Sequence, residues 1–223
     1  MASGATTETR RLEVAPGRFT GWIESFADRH QGLAASFVDD VVTFTAPDGA
    51  VAECLVPFPP LPVDDGAEPL DLAKLVSAHA TADRTVGVFL VRLGGYGAGV
   101  FTGSEPTLVA SKVGSRLVHG RSAAGGQSQQ RFARRRENQA HQALSAAADT
   151  AAAVFGPYKL DALVLGGDKR AFTQIRNDPR LTPFFEVAVE SFLTVPDPRL
   201  TVLKDTPRLF RAIKIKLTQP TIN

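Results

Sequence analysis

The run VGVFLVRL, at residues 86–93, is a nearly continuous apolar stretch with the length of one β-strand. Strands that are apolar on both faces lie in the middle of a sheet that is covered on both sides. Two further runs with strand composition follow at residues 98–102 and 107–113. The glycines between residues 94 and 99 are typical of a hairpin turn, so these runs predict a meander of neighbouring strands.

Strand and helix patterns alternate after the meander. Residues 128–155 include an alanine-rich run with high helix propensity and predict one long helix. A short apolar strand at 162–165 leads through Gly166-Gly167-Asp168 into a second predicted helix at 169–175. This alternation predicts an α/β domain, with a mixed β-sheet and flanking helices, over residues 68–223.

The first part of the chain has a different pattern. Residues 1–10 are polar and predict a disordered lead. Residues 11–65 hold an amphipathic helix around Trp22 and a hairpin around Asp48, which together predict a small α+β segment. The proline-rich run PFPPLP at 57–62 interrupts regular structure, so we place the domain boundary just after it.

Composition excludes several classes of protein. The 223 residues are 43% hydrophobic, which is sufficient for a buried core, and the formal net charge is only +2. The single cysteine, Cys54, lies in an apolar run and is expected to be a core thiol. No apolar run has the length of a membrane span, and the N-terminus has no apolar signal core. We therefore expect a cytoplasmic protein that has neither a disulfide nor a membrane partner.

Basic residues are concentrated in one part of the chain. No acidic residue occurs between Glu105 and Glu137. Arginine binds phosphate groups in a bidentate manner and releases counterions from nucleic acid. The pattern predicts an RNA-binding segment, whose candidate residues are Arg116, Arg121, Arg131, Arg134, Arg135 and Arg136.

A loop of small residues and glutamines interrupts the arginines and carries the candidate chemistry. Two adjacent glycines allow backbone conformations that other residues avoid, and backbone N–H groups at such a turn stabilise a developing oxyanion. Glutamine is uncharged, so it orients a water molecule rather than acting as a strong base. The candidate catalytic residues are Gly125, Gly126, Gln127, Gln129 and Gln130. The plainer alternative is a surface loop that precedes a solvated helix.

The sequence contains no recognisable motif for a metal or a cofactor. Its four histidines, at positions 30, 79, 119 and 141, lack metal-ligand spacing relative to cysteine or acidic residues. A phosphate-binding glycine loop, a dinucleotide fingerprint and a nucleophile elbow are all missing from the sequence. We therefore expect neither a metal nor a cofactor.

Five segments of the chain carry a resemblance to a known family. They are GGQSQQ (125–130), RFARRR (131–136), NQA (138–140), the strand region at 92–103 and the strand-turn at 164–167. The sequence there resembles the Vms-like release factors of ribosome quality control, in their actinobacterial branch. That family is similar to the middle, peptide-releasing domain of archaeal and eukaryotic class-I release factors. The resemblance extends over about residues 68–217 and implies the fold of that middle domain.

The resemblance implies hydrolysis of peptidyl-tRNA on a stalled large ribosomal subunit. Its partners would be the large subunit, peptidyl-tRNA and rRNA, and not DNA. The family's Gly-x-x-Gln motif matches Gly126-Gln127-Ser128-Gln129, which assigns the reactive glutamine to Gln129. Gly125-Gly126-Gln127 matches the release-factor tripeptide in a second register, so Gln127 and Gln130 remain alternatives.

Two other functions are compatible with the same residues. A nuclease that cuts the tRNA 3′ end would use the loop to position a ribose 2′-hydroxyl for attack. A non-catalytic RNA-binding or ribosome-associated factor would need the arginines but not the glutamines. The 3′ end of the tRNA product and the effect of glutamine substitutions distinguish these alternatives.

Overall fold

Four parts of the chain are described by the computed structural model, and they are residues 7–63, 67–92, 95–115 and 128–220. Of the segment 128–137 only the backbone is described. The chain folds into two units. The first holds the described residues up to Ala82 and those from Arg208 onward, and the second holds those from Asp83 to Pro207.

The first unit contains a five-stranded antiparallel sheet. Its strands are β1 (Thr7–Val14), β2 (Ala34–Val38), β3 (Val41–Thr45), β4 (Val51–Leu55) and, near the C-terminus, β10 (Ile213–Pro220). Their order across the sheet is β1-β10-β4-β3-β2. The predicted hairpin around Asp48 is confirmed, because β3 and β4 pair on either side of it.

Two helices, α1 (Pro16–Arg29) and α2 (Pro69–Thr81), pack against each other and against one face of this sheet. The buried residues of α1 include Phe19, Ile23 and Phe26, which fall on one helical face. The predicted amphipathic helix is therefore confirmed. The same core holds Cys54, and burial raises the pKa of its thiol to about 12. A thiol that stays protonated at neutral pH is inert, in agreement with the expectation of a core cysteine.

The structure differs from the predicted disordered lead at residues 7–10. These residues belong to β1, which pairs with β10 from Thr7 opposite Pro220 to Val14 opposite Ile213. β1 is an edge strand, and most of its side chains are exposed. Its polar composition follows from that position. Leu12 and Val14 pack against the core, and the exposed residues 7–11 are held by backbone pairing with β10.

The structure also differs from the predicted domain boundary between residues 65 and 68. Helix α2 belongs to the first unit, where Leu72 and Val76 are buried against α1 and the sheet. Strand β10 belongs to the first unit as well, because it lies between β1 and β4. The boundaries therefore follow Ala82 and Pro207, and the first unit is formed by both ends of the chain.

The second unit contains a five-stranded mixed sheet, which confirms the predicted mixed α/β fold. Its strands are β5 (Val86–Arg92), β6 (Gly95–Thr102), β7 (Thr107–Ser115), β8 (Ala162–Gly167) and β9 (Ala188–Leu193), in the order β7-β6-β5-β8-β9. β5, β6 and β7 form the predicted antiparallel meander. β8 runs parallel to both β5 and β9. As predicted, β5 is central and is buried from Val86 to Val91.

Helices complete the second unit. They are α3 (Ser128–Phe155), α4 (Lys169–Ile175), α5 (Thr182–Phe185), α6 (Leu200–Lys204) and α7 (Thr206–Phe210). Helix α7 contains the boundary after Pro207, so its last residues belong to the first unit. Helix α3 has the predicted bounds, and its alanine-rich C-terminal part packs against Ala98 and Val100 of β6. None of the described helices is long and apolar enough to cross a membrane.

Three glycines, Gly95, Gly97 and Gly99, lie within β6, so the hairpin-turn interpretation is wrong for them. By the alternation of a strand they share one face. A Cβ atom at Gly99 would lie 2.9 Å from Leu203 of α6, and one at Gly95 would lie 3.4 Å from Pro198. These glycines therefore allow residues 198–203 to approach the backbone of the sheet closely.

Candidate functional site

Four strands of the second sheet end at the same edge. β5, β7, β8 and β9 share one direction, because β6 is antiparallel to both of its neighbours while β8 is parallel to both of its own. Ser115 and Arg92 both pair with Gly95, and Val91 pairs with Gly167, so these strand ends lie in one row. We call this the carboxyl edge, defined by the last strand residues Arg92, Ser115, Gly167 and Leu193. In open α/β sheets, ligands bind at this kind of edge.

Helix α3 begins on the side of the carboxyl edge. It connects the end of β7 to the start of β8, and β8 starts at the opposite edge. Its C-terminal part is anchored in the core of the unit by Ala147, Ala151 and Phe155. With 28 residues the helix is about 42 Å long, so its first turns lie far from this anchor and toward the carboxyl edge.

A pair of hydrogen-bonded ion pairs fixes the anchored half of α3. Arg180 donates from Nη1 to Oδ1 of Asp149 over 2.8 Å and from Nη2 to Oδ2 of Asp178 over 2.6 Å. The hydrogen bond from Arg180 lowers the pKa of the Asp178 carboxyl group. Because Arg180 and Asp149 are exposed, these bonds orient the helix more than they stabilise it.

The predicted site residues fall into two groups. Gln129, Gln130 and Arg131 lie in the first turn of α3, and Arg134, Arg135 and Arg136 follow within the next two turns. The described backbone thus places Gln129 and Gln130 in the same helix as the four arginines. Five other predicted residues lie outside the described part of the chain, and they are Gly125, Gly126, Gln127, Arg116 and Arg121. The chemical roles of both groups remain predictions.

The middle of the carboxyl edge is held by the segment after β9. Arg92 donates from Nη1 to the carbonyl oxygen of Val195 over 2.7 Å, and its Nε lies 3.7 Å from Oδ1 of Asp197. Pro198 packs next to Gly95 at the start of β6. These contacts therefore hold the end of β5 and the start of β6 in fixed positions relative to the segment after β9.

The end of β8 places three charged residues at the edge. The backbone N–H of Asp168 donates to the carbonyl oxygen of Val91 over 2.7 Å. Asp168 then caps α4, because its Oδ1 accepts from the N–H of Arg170 over 2.9 Å. Lys169 lies over the ring of Phe192, with Nζ 5.4 Å from the centroid. Asp168, Lys169 and Arg170 are all exposed.

Sequence reasoning did not single out Lys169 and Arg170 as site residues. The sequence does contain one indication of their position, because Gly166-Gly167-Asp168-Lys169-Arg170 directly follows the apolar run at 162–165. It did not show that β8 pairs in parallel with β5, and this pairing is what brings these residues to the carboxyl edge.

Gly167 is expected to be intolerant of a side chain. Its φ is +104°, and a Cβ atom there would collide with the carbonyl oxygen of Val91. We expect Gly167→Ala to lower the free energy of unfolding by about 2 kcal/mol, the usual size of such backbone strain, as measured by urea denaturation followed by circular dichroism. The control is Gly21→Ala in α1, where a Cβ meets nothing within 4 Å. A Gly167→Ala protein as stable as the Gly21→Ala protein would contradict the prediction.

The chain belongs to the Actinobacteria/chloroflexi VLRF1 release factor family, whose model matches residues 84–216, more than half of its length. The match covers almost the whole second unit and continues into β10. It confirms the resemblance seen in the sequence.

Solved structures that match this chain in part include an archaeal translation termination factor, aRF1, and the Vms1 mitochondrial localization core. The archaeal factor is 14% identical with a TM-score of 0.40, over 90% of this chain and 64% of that chain. The Vms1 core is 13% identical with a TM-score of 0.41, over 78% of this chain and 75% of that chain. The chain thus spans less than two thirds of the archaeal factor. A sequence search of the curated proteins finds no match.

Proposed function

We propose that the protein is a peptidyl-tRNA hydrolase, which releases nascent peptides from stalled large ribosomal subunits. The observation that carries the proposal is the start of α3 at Ser128 in a member of a release-factor family. This start joins the glutamine-bearing segment to an arginine-rich helix on the side of the carboxyl edge. A glutamine-bearing segment that is continuous with an arginine-rich helix suits a ribosomal site, because rRNA and tRNA surround the ester there.

The reaction is hydrolysis of the ester between the peptide and the terminal ribose of the tRNA. The oxygen of a water molecule attacks the ester carbonyl carbon and forms a tetrahedral intermediate. The bond from that carbon to the ribose oxygen then breaks, and this oxygen takes up a proton. The products are a peptide with a free carboxyl group and a tRNA with an intact 3′ end.

In this proposal Gln129 orients the attacking water through its side-chain amide. An amide is not a strong base, so its contribution is positioning, which is the role glutamine has toward attacking water in other hydrolases. Backbone N–H groups of Gly125 and Gly126, together with RNA hydroxyls, stabilise the oxyanion of the intermediate. Gln127 and Gln130 are the alternatives for the same role.

The arginines supply binding rather than chemistry. Arg131, Arg134 and Arg135 are spaced so that they share one face of the first turns of α3. Bidentate contacts from guanidinium groups to phosphates give affinity and orientation that do not depend on base sequence. Arg116, Arg121 and Arg136 extend the same basic segment along the chain.

The proposal is tested with large subunits that carry labelled peptidyl-tRNA. We expect the protein to release the peptide from these subunits and to be nearly inert toward free peptidyl-tRNA, because the RNA of the ribosome completes the site. Rapid hydrolysis of free peptidyl-tRNA would contradict the proposal that the RNA of the ribosome completes the site. Binding without release at any protein concentration would leave only a ribosome-binding role.

A further inference from the structure

Charges in the second unit are distributed unevenly between the two edges of the sheet. The amino edge, at which β5, β8 and β9 start, is rich in acidic residues, namely Asp83, Glu105, Asp161, Asp178 and Glu186. Basic residues there include Arg84, Lys159, Arg176 and Arg180, and Arg180 is engaged with two carboxylates. On this edge the described acidic residues therefore outnumber and partly neutralise the basic ones.

The carboxyl edge has the opposite balance. Its described basic residues are Arg92, Lys169, Arg170 and Arg199, and its acidic residues are Asp168 and Asp197. Both carboxylates are engaged, because Asp168 accepts from a backbone N–H and Asp197 lies 3.7 Å from Arg92. Within the described part of the chain, no carboxylate forms an ion pair with Lys169, Arg170 or Arg199, and all three side chains are exposed.

These three residues are positioned by rigid elements along the edge. Lys169 and Arg170 follow β8, and the ammonium group of Lys169 is placed by the ring of Phe192. Arg199 follows Pro198, which packs next to Gly95 on β6. It therefore lies between the β8 end and Ser115, the last residue of β7.

The spacing fits a polyanion that runs along the edge. Two strand spacings, about 10 Å, separate the end of β8, which carries Lys169 and Arg170, from β6, beside which Arg199 lies. The arginine-rich start of α3 lies on the side of the same edge. A nucleic acid strand carries phosphates every few ångströms, so one strand is long enough to reach both groups of cations.

We propose that Lys169, Arg170 and Arg199 form a second RNA-binding surface, which contacts phosphates of the same RNA that the start of α3 contacts. The inference rests on the proposed function, which supplies RNA as the partner. The surface shows phosphate-binding cations rather than exposed aromatic rings, so it recognises the backbone and not the bases. The phosphates that this surface contacts belong either to the acceptor end of the tRNA or to rRNA.

The test compares two double variants with equal loss of charge. Lys169→Gln/Arg170→Gln removes two cations from the carboxyl edge. The control Lys159→Gln/Lys204→Gln removes two exposed cations elsewhere, because Lys159 precedes β8 and Lys204 follows Leu203, which lies against Gly99 in the middle of β6. Glutamine has good helix propensity, so neither variant should disturb folding.

Affinity is measured as a function of salt on two probes, namely stalled large subunits and an RNA hairpin that copies the tRNA acceptor stem. For the carboxyl-edge variant we expect about 10-fold weaker binding and a salt slope smaller by about 1.4 to 1.8, the effect of two lost phosphate contacts. The control variant should bind like the wild type. Weaker binding to both probes identifies tRNA as the source, and weaker binding to subunits alone identifies rRNA.

Two results would overturn the inference. One is a carboxyl-edge variant that matches the control in affinity and salt slope on both probes. The other is a wild-type protein that binds neither probe. Peptide release by the wild-type protein and by the control variant tests the proposed function separately, because the control keeps both proposed groups of RNA-binding cations and should release peptide at the wild-type rate. A wild-type protein that binds but never releases peptide would contradict the proposed function and still allow the two variants to be compared.

Discussion

Gln129→Ala is expected to slow peptide release from stalled large subunits by about 100-fold or more, the usual effect of removing one oriented polar group from a hydrolytic site. Binding to the subunit should be unchanged, because the amide is proposed to act on the attacking water and not on phosphates. The measurement is single-turnover release of labelled peptide at saturating protein. A matched control is Gln174→Ala, which removes an exposed glutamine from α4.

Gln127→Ala and Gln130→Ala decide between the two possible registers of the motif. If the Gly-x-x-Gln register is correct, each of these variants should release peptide at a rate much closer to that of the wild type. If Gln129→Ala releases peptide at the wild-type rate and one of the other two variants releases it much more slowly, the reactive glutamine is the one replaced in that slower variant. Undiminished release by all three variants would contradict a catalytic role for any glutamine of the segment.

A triple variant, in which Arg131, Arg134 and Arg135 are replaced by alanine, is expected to bind stalled subunits about 100-fold more weakly at physiological salt. The slope of log affinity against log salt should become smaller by about 2 to 3, because three phosphate contacts are lost. Alanine has the highest helix propensity, so the helix should remain intact. Release at saturating protein should approach the wild-type rate, since these arginines are proposed to bind and not to react.

Replacing the same three arginines by lysine provides the control. Lysine keeps the charge and therefore the salt slope, but it loses the planar, bidentate contact to phosphate. We expect an intermediate affinity with an unchanged slope. A triple alanine variant with the wild-type salt slope would contradict the assignment of these residues to phosphate contacts.

Local patterns in the sequence predicted much of the second unit. The buried strand at 86–92 was predictable because its apolar residues are continuous in the sequence. The long helix α3 was predictable because its alanine-rich sequence has high helix propensity. The family resemblance at residues 125–140 likewise depends on contiguous residues. Such features do not require knowledge of which elements meet in space.

Features that depend on distant pairing were not predictable. Thr7 pairs with Pro220 at the opposite end of the chain, and the polar edge strand that contains Thr7 has no apolar alternation to reveal it. The sequence predicts a turn at the three glycines of β6, because it does not reveal the packing against Pro198 and Leu203 that explains them. The position of Lys169 and Arg170 at the carboxyl edge depends on the parallel pairing of β8 with β5, which the sequence does not reveal.

The chemical state of the tRNA 3′ end after peptide release tests the central claim most directly. The measurement uses stalled large subunits and wild-type protein, followed by mass spectrometry of the tRNA terminus and of the released peptide. Ester hydrolysis predicts a tRNA that ends in its complete terminal nucleotide and a peptide with a free carboxyl group. A shortened tRNA and a peptide that retains nucleotides would contradict hydrolysis and would identify the protein as a nuclease.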